Sequence, residues 1–275
     1  MPVGANSINT NASAIVALQN LNSVQSRLDQ TQNRVSTGYK VIGAVDDASS
    51  FSIAQGLRAD IKAYSAVSQG IANAKGVAQI ALTGATSISD VLGDIKAAVT
   101  EGLNAANTTQ QQNIIATDFT NLASQVNAFI NNSVYSGRNL LSSGSTSIST
   151  ISNIDGSTIS IRTASAVFAA ATLVGGQNLN TTAGALQALT VVNQAQATVA
   201  TILGTLGADV RSIQFQDDFL SKISDSVEIG LGAIVDADLA KESARLEALE
   251  VQQQLAISTL NIANQRPSVL VQLFQ

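Results

Sequence analysis

The side chains that most often carry out chemistry are scarce in this sequence of 275 residues. It contains no Cys and no His, which excludes disulfides, thiolate metal sites and the commonest general base. Carboxylates remain, and the most suggestive are the neighbours Asp46 and Asp47. Two adjacent carboxylates just before a helical pattern are, however, what the positive end of a helix dipole favours. We therefore predict that the chain is not an enzyme and binds no metal or cofactor.

The charge pattern limits the possible partners further. Charged residues make up 12% of the chain and its formal net charge is -5. A nucleic-acid partner would need a basic patch, and the sequence has none, so we expect no such partner. No apolar run reaches the ~18 residues of a membrane-spanning helix. The first basic residue is Arg27, so a cleavable secretory signal is not expected either.

Heptad spacing near both ends of the chain predicts helices that pack along a seam. In the first segment the seam residues are Ala14, Leu21, Leu28 and Val35, with a companion row at Ala17, Val24 and Thr31. The last segment has a similar stripe at Leu239, Leu246, Leu249 and Leu260. This spacing is typical of a coiled coil. The two seams can pair with each other, or part of their surface can be kept for contacts between identical subunits.

The middle of the chain predicts more helices and one small sheet. Helical periodicity continues through residues 57–99, 115–129 and 192–227. Ser and Thr dominate residues 142–162, and Asp155-Gly156 within them is a strong signal for a tight hairpin. Residues 163–184 show no clear pattern and are expected to be irregular.

These patterns predict a mainly α fold. Both chain ends form a long antiparallel helical bundle or coiled coil, and a small β-hairpin is inserted in the middle. The predicted domains are a terminal coiled coil of residues 1–42 and 235–275, a helical rod of residues 43–141 and 186–234, and a hairpin with irregular surface insert at residues 142–185.

The two chain ends are unusually apolar for an acidic protein. The last helix is expected to end near Asn264, ahead of Pro267. Beyond it lies an apolar tail that includes Val269, Leu270, Leu273 and Phe274, and Ile8 lies in the uncharged start of the chain. Exposed apolar ends lower solubility, so both ends either pack against this chain or are kept for a partner.

Four stretches of the sequence resemble bacterial flagellins, the subunits of the flagellar filament. They are residues 7–22 (SINTNASAIVALQNLN), 34–61 (RVSTGYKVIGAVDDASSFSIAQGLRADI), 131–144 (NNSVYSGRNLLSSG) and 255–275 (LAISTLNIANQRPSVLVQLFQ). The resemblance covers roughly residues 1–141 and 186–275. So little sequence separates these blocks that the large outer domains of many flagellins are expected to be absent.

The resemblance implies an extracellular structural protein that polymerises with copies of itself for swimming motility. In flagellins the two termini pair in an innermost domain lining the central channel, which would reserve the apolar tail for neighbouring subunits. Export through the flagellar type III apparatus, without a cleaved signal, is implied as well. Further implied partners are a flagellar export chaperone at the C-terminal helix and the flagellar cap and junction proteins.

Two further segments are candidates for contacts. In the linker, Asp46 and Asp47 can be bonded by Arg58 or Lys62 within the chain, or by a cation of a neighbouring subunit. The segment Leu92, Gly93, Asp94, Ile95 and Lys96 lies where many flagellins present a helix face to Toll-like receptor 5. Those flagellins have a Gln-Arg pair at Gly93-Asp94 and a Glu at Ala97. Replacing an interface Arg by Asp reverses the charge, so we predict weak recognition by that receptor.

Three alternatives stay open at this stage. A hook–filament junction protein of the same superfamily would share the terminal helices. A secreted, membrane-active helical effector belongs to a different class, but it would need an apolar helix face with basic flanks, and none is found. The Ser/Thr-rich residues 142–163 are either a plain hairpin or a site for O-linked sugars.

Overall fold

A computed structural model describes residues 10–272 of the chain, and the side chains of residues 10–265. The elements within these residues are α1 (Ala12–Thr37), α2 (Ala48–Gly102), α3 (Thr109–Asn132), β1 (Ile148–Ile151), β2 (Thr158–Ile161), α4 (Ala166–Gly175), α5 (Thr182–Val235) and α6 (Leu239–Gln272). The mainly α prediction with one small hairpin is confirmed. Two compact units form: unit 1 contains the described residues up to Ala59 and from Ser226 onward, and unit 2 contains Asp60–Asp225.

Unit 1 is dominated by the side-by-side packing of α1 and α6. The two helices run antiparallel, since positions that rise along α1 meet positions that fall along α6: Asn11 with Ala263, Gln25 with Gln253, and Arg34 with Glu242. The predicted antiparallel pairing of the two chain ends is therefore confirmed.

Local signals fix where these two helices begin and end. Asn11 Oδ1 accepts a hydrogen bond from the Ala14 N–H at 3.1 Å and caps the start of α1. Gly38 ends α1 with a φ of 76°, a left-handed conformation that glycine adopts without steric penalty. The Asp238 carboxylate accepts hydrogen bonds from two N–H groups in the first turn of α6.

A small apolar cluster lies where the linker after α1 meets the starts and ends of longer helices in unit 1. Val41, Ala54 and Val235 are buried in it. The Lys40 N–H donates to the Val235 carbonyl oxygen at 2.7 Å, which fixes the linker beside the end of α5. The linker is thus a packed segment and not a free connection.

Unit 2 has one continuous hydrophobic core, to which α2, α3, α4, α5 and the hairpin all contribute. Its largest fully buried side chains are Ile71, Ile88, Leu92, Ile95, Ile130, Leu140, Leu141, Ile161, Leu179, Leu206, Ile213 and Leu220. Close packing extends to the backbone: at Gly84 in α2, the Ser133 hydroxyl fills the space that a Cβ would occupy. Such dense, well-filled cores specify a single arrangement.

The hairpin is anchored to the body of unit 2 by one charged pair. β1 and β2 pair antiparallel, with Ile148 opposite Ile161. Directly after β2, the Arg162 guanidinium donates to the largely buried Asp209 carboxylate, the shortest distance being 2.7 Å. These hydrogen bonds raise the pKa of Arg162 above its ordinary value.

Two sequence-based expectations are wrong. Residues 163–184 are not wholly irregular: they contain α4, whose Val167, Ala170, Ala171 and Val174 side chains are buried. The last helix does not end near Asn264, because α6 continues past Pro267 to Gln272. The physical reason for this continuation lies in the contact between α1 and α6.

Candidate functional site

The seam predicted for α1 is part of the contact between α1 and α6. Its most buried residues are the companion row, Ala17, Val24 and Thr31. The main row, Ala14, Leu21, Leu28 and Val35, is half-buried. The seam therefore lies between the two rows, as expected when every fourth and third residue faces a partner helix.

The predicted stripe of α6 divides into contacting and exposed residues. Leu249 is buried, Leu246 and Leu260 are half-buried, and Ala263 is also buried. Leu239 does not join them, because at the very start of α6 its side chain remains 49% exposed. The α1–α6 contact thus uses a narrower strip of α6 than the spacing of leucines predicts.

Large aliphatic side chains also cover the outer faces of this helix pair. Those exposed on α1 are Ile15, Val16 and Leu18, and those exposed on α6 are Leu239, Val251, Leu255, Ile257 and Ile262. Sequence reasoning focused on the heptad rows and missed most of them. The available signal was that α6 carries apolar residues on more than one face, which a helix with a single partner does not need.

A charged cluster lies inside the otherwise uncharged contact between α1 and α6. Glu242 is only 8% exposed, and its Oε1 lies 3.7 Å from Arg34 Nη1 and 3.9 Å from Arg245 Nη1. Glu242 Oε2 and Arg34 Nε are buried without a hydrogen-bond partner. Incompletely bonded buried charges cost stability but can fix helix alignment.

Asn11 connects the start of α1 to the far part of α6. Its Oδ1 caps α1, while its Nδ2 donates to the Ala263 carbonyl oxygen at 2.7 Å. In a regular helix that carbonyl would accept from the residue four positions later, which is Pro267 and has no N–H. The Asn11 side chain therefore supplies the donor that Pro267 lacks, and this explains why α6 continues.

Asp46 and Asp47, the two carboxylates of the linker, accept hydrogen bonds from nearby residues and none from Arg58. Asp46 accepts from the N–H groups of Ile42 and Gly43, and these bonds lower its pKa. Asp47 caps α2 by accepting from Ser50, which lowers its pKa as well. Arg58 instead donates to Gln55 Oε1 at 3.3 Å. Of the options that the sequence left open, the bond between Arg58 and these carboxylates is not formed.

The receptor-like segment divides into core and surface. Leu92 and Ile95 are buried in the core of unit 2, whereas Gly93, Asp94 and Lys96 are exposed. Lys96 Nζ lies 3.4 Å from Gln196 Oε1. Only these three residues of the segment are available to a partner.

Five residues of the predicted terminal surfaces lie outside the described side chains. Ile8, Leu273 and Phe274 lie outside the described residues, and Val269 and Leu270 lie where α6 is described by its backbone only. In the part of the chain that the structure describes, no helix is long and apolar enough to span a membrane. Within the same part, no three acidic side chains come together as metal ligands would.

Comparisons with known proteins agree with this geometry. The family described as the bacterial flagellin N-terminal helical region matches residues 8–146, and the bacterial flagellin C-terminal helical region matches residues 189–274. Flagellin FljM of Caulobacter vibrioides is 32% identical over 98% of this chain and 99% of its own length. A flagellin of Brucella melitensis is 35% identical with the same coverage of both chains.

A solved structure shares the fold. A putative flagellar hook-associated protein from Vibrio parahaemolyticus superimposes with a TM-score of 0.58 at 17% identity, covering 70% of this chain and 100% of that one. At such low identity the likeness concerns the fold alone. The family models and the near-full-length relatives carry the assignment: this chain belongs to the bacterial flagellin family, the structural subunits of the extracellular flagellar filament.

Proposed function

We propose that copies of this chain build the flagellar filament by packing through the outer faces of the α1–α6 pair. One observation carries the proposal: large aliphatic side chains on both helices, among them Val16, Leu255 and Ile262, are more than half exposed in a single subunit. A contiguous exposed apolar surface usually marks an interface. Contacts between different patches of identical copies continue as an open helix when the rotation does not close.

In this arrangement the terminal domain of residues 1–42 and 235–275 is the innermost part of the filament. The helical rod of residues 43–141 and 186–234 lies outside it, and residues 142–185 contribute to the outer surface. We expect the apolar tail beyond Pro267 to contact neighbouring subunits. Deleting residues 268–275 should therefore prevent normal filaments, and normal filaments from that variant would contradict this role of the tail.

Paired substitutions on α6 test the proposal without touching the α1–α6 seam. Leu255→Asn with Ile262→Asn should leave the monomer folded but strongly reduce polymerisation, because two apolar contacts are lost. The matched control, Gln254→Asn with Asn261→Gln, changes two exposed polar residues of the same helix and should polymerise normally. Equal polymerisation of both variants would refute the proposal.

Electron microscopy of purified monomers seeded with short fragments supplies the measurement. Long, regular tubes from the unmodified chain are the expected result. Stubs or rings would instead favour a hook–filament junction protein of the same superfamily, which assembles only in short layers. A filament subunit and a junction protein are therefore distinguished by the length of the polymer that each forms.

Before assembly, the same apolar surface of α6 must be shielded from water. We expect a flagellar export chaperone to bind there during delivery by the flagellar type III apparatus, and the flagellar cap and junction proteins to contact the subunit at the two ends of the filament. The Leu255→Asn and Ile262→Asn variant should co-elute poorly with the chaperone. Unchanged co-elution would place the chaperone elsewhere.

Recognition by Toll-like receptor 5 is expected to be weak. The exposed positions of the receptor-like segment are Gly93, Asp94 and Lys96, and recognised flagellins carry a Gln-Arg pair at the first two. A reporter-cell assay should give a weak response, and the triple change Gly93→Gln, Asp94→Arg and Ala97→Glu should raise it. A full-strength response from the unmodified chain would contradict the prediction.

A further inference from the structure

An exposed pair of phenylalanines on α5 does not belong to the hydrophobic core of unit 2. Phe215 is 72% exposed and Phe219 is 52% exposed. Their spacing of four positions places them side by side on one helix face. Between them, Gln216 and Asp217 form hydrogen bonds to the hairpin and to α2, which fixes the inward face of the helix. Both aromatic rings are therefore held outward.

This exposure is unusual among the described phenylalanines of the chain. Phe and Tyr together account for only 4% of its residues, and the other described phenylalanines, at positions 51, 119, 129 and 168, are buried or half-buried. The pair is flanked by the exposed charged residues Arg211, Asp218 and Lys222. An aromatic centre with a polar rim is the usual anatomy of an interface hot spot.

A groove that can accept an aromatic ring lies elsewhere on unit 2. It has a volume of about 230 Å³ and is lined mainly by small and aliphatic side chains of α4 and α5, including Ala166, Ala169, Leu173, Val191 and Ala195. A dry cavity of about 150 Å³ is enough for benzene. Residues 163–208 carry no charge, so this groove selects for apolar shape and not for charge.

The groove and the phenylalanines of one copy cannot meet. Phe215 lies 21 positions after Gln194, which also lines the groove, and this separation corresponds to about 30 Å along a helix. We propose that Phe215 and Phe219 insert into the α4–α5 groove of a second copy of this chain. This contact rests on the proposed function, and it adds an attachment in unit 2 to the one made by the α1–α6 pair.

The same geometry explains why such a contact would propagate. Two different patches meet, so every copy still offers one free groove and one free aromatic pair. If the two copies are parallel, they are displaced by about 30 Å along the direction of α5, which is the distance between the two patches. An open chain of subunits, as a filament requires, results when the rotation between copies does not close.

Cross-linking in filaments tests the contact directly, because the chain has no Cys of its own. A variant with Phe215→Cys and Leu173→Cys, which keeps Phe219, should give a ladder of covalent oligomers with a short bismaleimide. Phe215→Cys alone should give none. The control pair Phe215→Cys and Ala197→Cys places the second thiol at an exposed position that does not line the groove, and should give none either.

Other cross-linking patterns overturn the contact. Dimers from Phe215→Cys alone would mean that the phenylalanines of two copies meet each other, and the absence of a ladder from the first pair would mean that they do not enter the groove. A ladder from the control pair equal to that of the first pair would show that the reaction does not report proximity.

Alanine substitution provides a second measurement. Phe215→Ala with Phe219→Ala should leave the unfolding midpoint of the monomer unchanged, and should raise the critical concentration for polymerisation about tenfold or more. Ile114→Ala, which truncates another exposed aliphatic side chain of unit 2 (63% exposed), should polymerise as the unmodified chain does. An equal rise in both variants would overturn the specific contact.

The contact and the filament function can be refuted separately. If the phenylalanine variant polymerises as readily as the unmodified chain, this contact is refuted while the filament function stands. If the unmodified chain itself forms no filaments, both are refuted.

Discussion

The two units of this chain are built from long helices of similar composition, yet they bury their apolar residues very differently. Unit 2 encloses a continuous core from four helices and a hairpin. In the α1–α6 pair of unit 1, the buried residues form a thin line of small and aliphatic side chains together with Glu242, and large aliphatic residues remain exposed on both helices. Burial of apolar surface is the main stabilising term. Unit 2 therefore carries its own stability, whereas unit 1 leaves part of its stabilisation to contacts with other copies.

Truncating one residue from each unit should sharpen this comparison most. Ile88→Ala removes a core side chain that is 1% exposed and should lower the free energy of unfolding by about 2–5 kcal/mol. Leu255→Ala truncates a side chain that is 61% exposed. It should change the free energy of unfolding by no more than about 0.5 kcal/mol but should hinder polymerisation. Urea unfolding followed by circular dichroism measures the first quantity and light scattering the second.

The reverse outcome would break the comparison. If Leu255→Ala destabilised the monomer as strongly as Ile88→Ala, then α6 would already have a partner on that face within the single subunit.

Truncating the core of unit 2 should lower the free energy of unfolding, whereas replacing the buried charges of unit 1 should leave it unchanged or raise it. Arg34→Met with Glu242→Leu removes two buried groups that lack hydrogen bonds, and should be neutral or stabilise the α1–α6 pair by about 1–4 kcal/mol. Arg34→Met alone leaves Glu242 without its partner across the helix pair and should destabilise. Hydrogen exchange of α1 and α6 amides measures both effects.

The alignment of the two helices can be followed in the same variants. A disulfide between Gln25→Cys and Gln253→Cys reports the observed register, and one between Gln25→Cys and Leu246→Cys reports a slip of seven positions. We expect the second disulfide to form only where the charges have been removed. Equal destabilisation by the single and double charge variants would show that the pair contributes net stability.

The dual role of Asn11 predicts a smaller effect confined to unit 1. Asn11→Asp keeps an oxygen to cap α1 but loses the N–H group that bonds the Ala263 carbonyl oxygen. It should destabilise the end of α6 by about 0.5–1.5 kcal/mol. Pro267→Ala restores an N–H four positions after Ala263, so Asn11→Asp should cost less in that background. Hydrogen exchange near Ala263 measures this coupling, and purely additive effects would contradict it.

The smallest expected effect is a pH dependence. The folded pKa values of Asp46 and Asp47 lie below the ordinary value of 3.8, so their stabilisation is complete above that value and is lost as the pH falls through the folded pKa values. The variant Asp46→Asn with Asp47→Asn should therefore lose less stability than the unmodified chain between about pH 5 and about pH 3.

Asp155, in the hairpin turn of unit 2, provides the matched control for that measurement. Its pKa is lowered by hydrogen bonds from Ser157, and Asp155→Asn removes a single such group. The unfolding midpoint of the Asp155→Asn variant should therefore depend more strongly on pH than that of the variant with Asp46→Asn and Asp47→Asn. The opposite ranking would place the acid sensitivity in unit 2.

What the sequence could and could not predict follows from the range of the interactions. Heptad spacing predicted α1 and α6 as helices with an apolar stripe, and Asp155-Gly156 predicted the hairpin, because each signal lies within the segment that it specifies. The helix α4 was missed because Ala166–Gly175 is apolar almost throughout and has no polar face to reveal a period.

Long-range contacts account for the other differences. The passage of α6 through Pro267 depends on a donor from Asn11, at the opposite end of the chain. The burial of Glu242 depends on its position opposite Arg34 on another helix. Local spacing carries no information about either, whereas the capping of the Ala14 N–H by Asn11, three positions earlier, is a purely local signal.

The bond between Asn11 and Ala263 joins positions that are 252 residues apart, and this separation has a consequence for the order of folding. A ribosome makes α1 before unit 2 and the end of α6 after it. The contacts of unit 2 can therefore form while synthesis continues, since domains fold as units from the N-terminal side. α1 finds its partner only after α2 to α5 have been made, and its apolar face stays uncovered for that time.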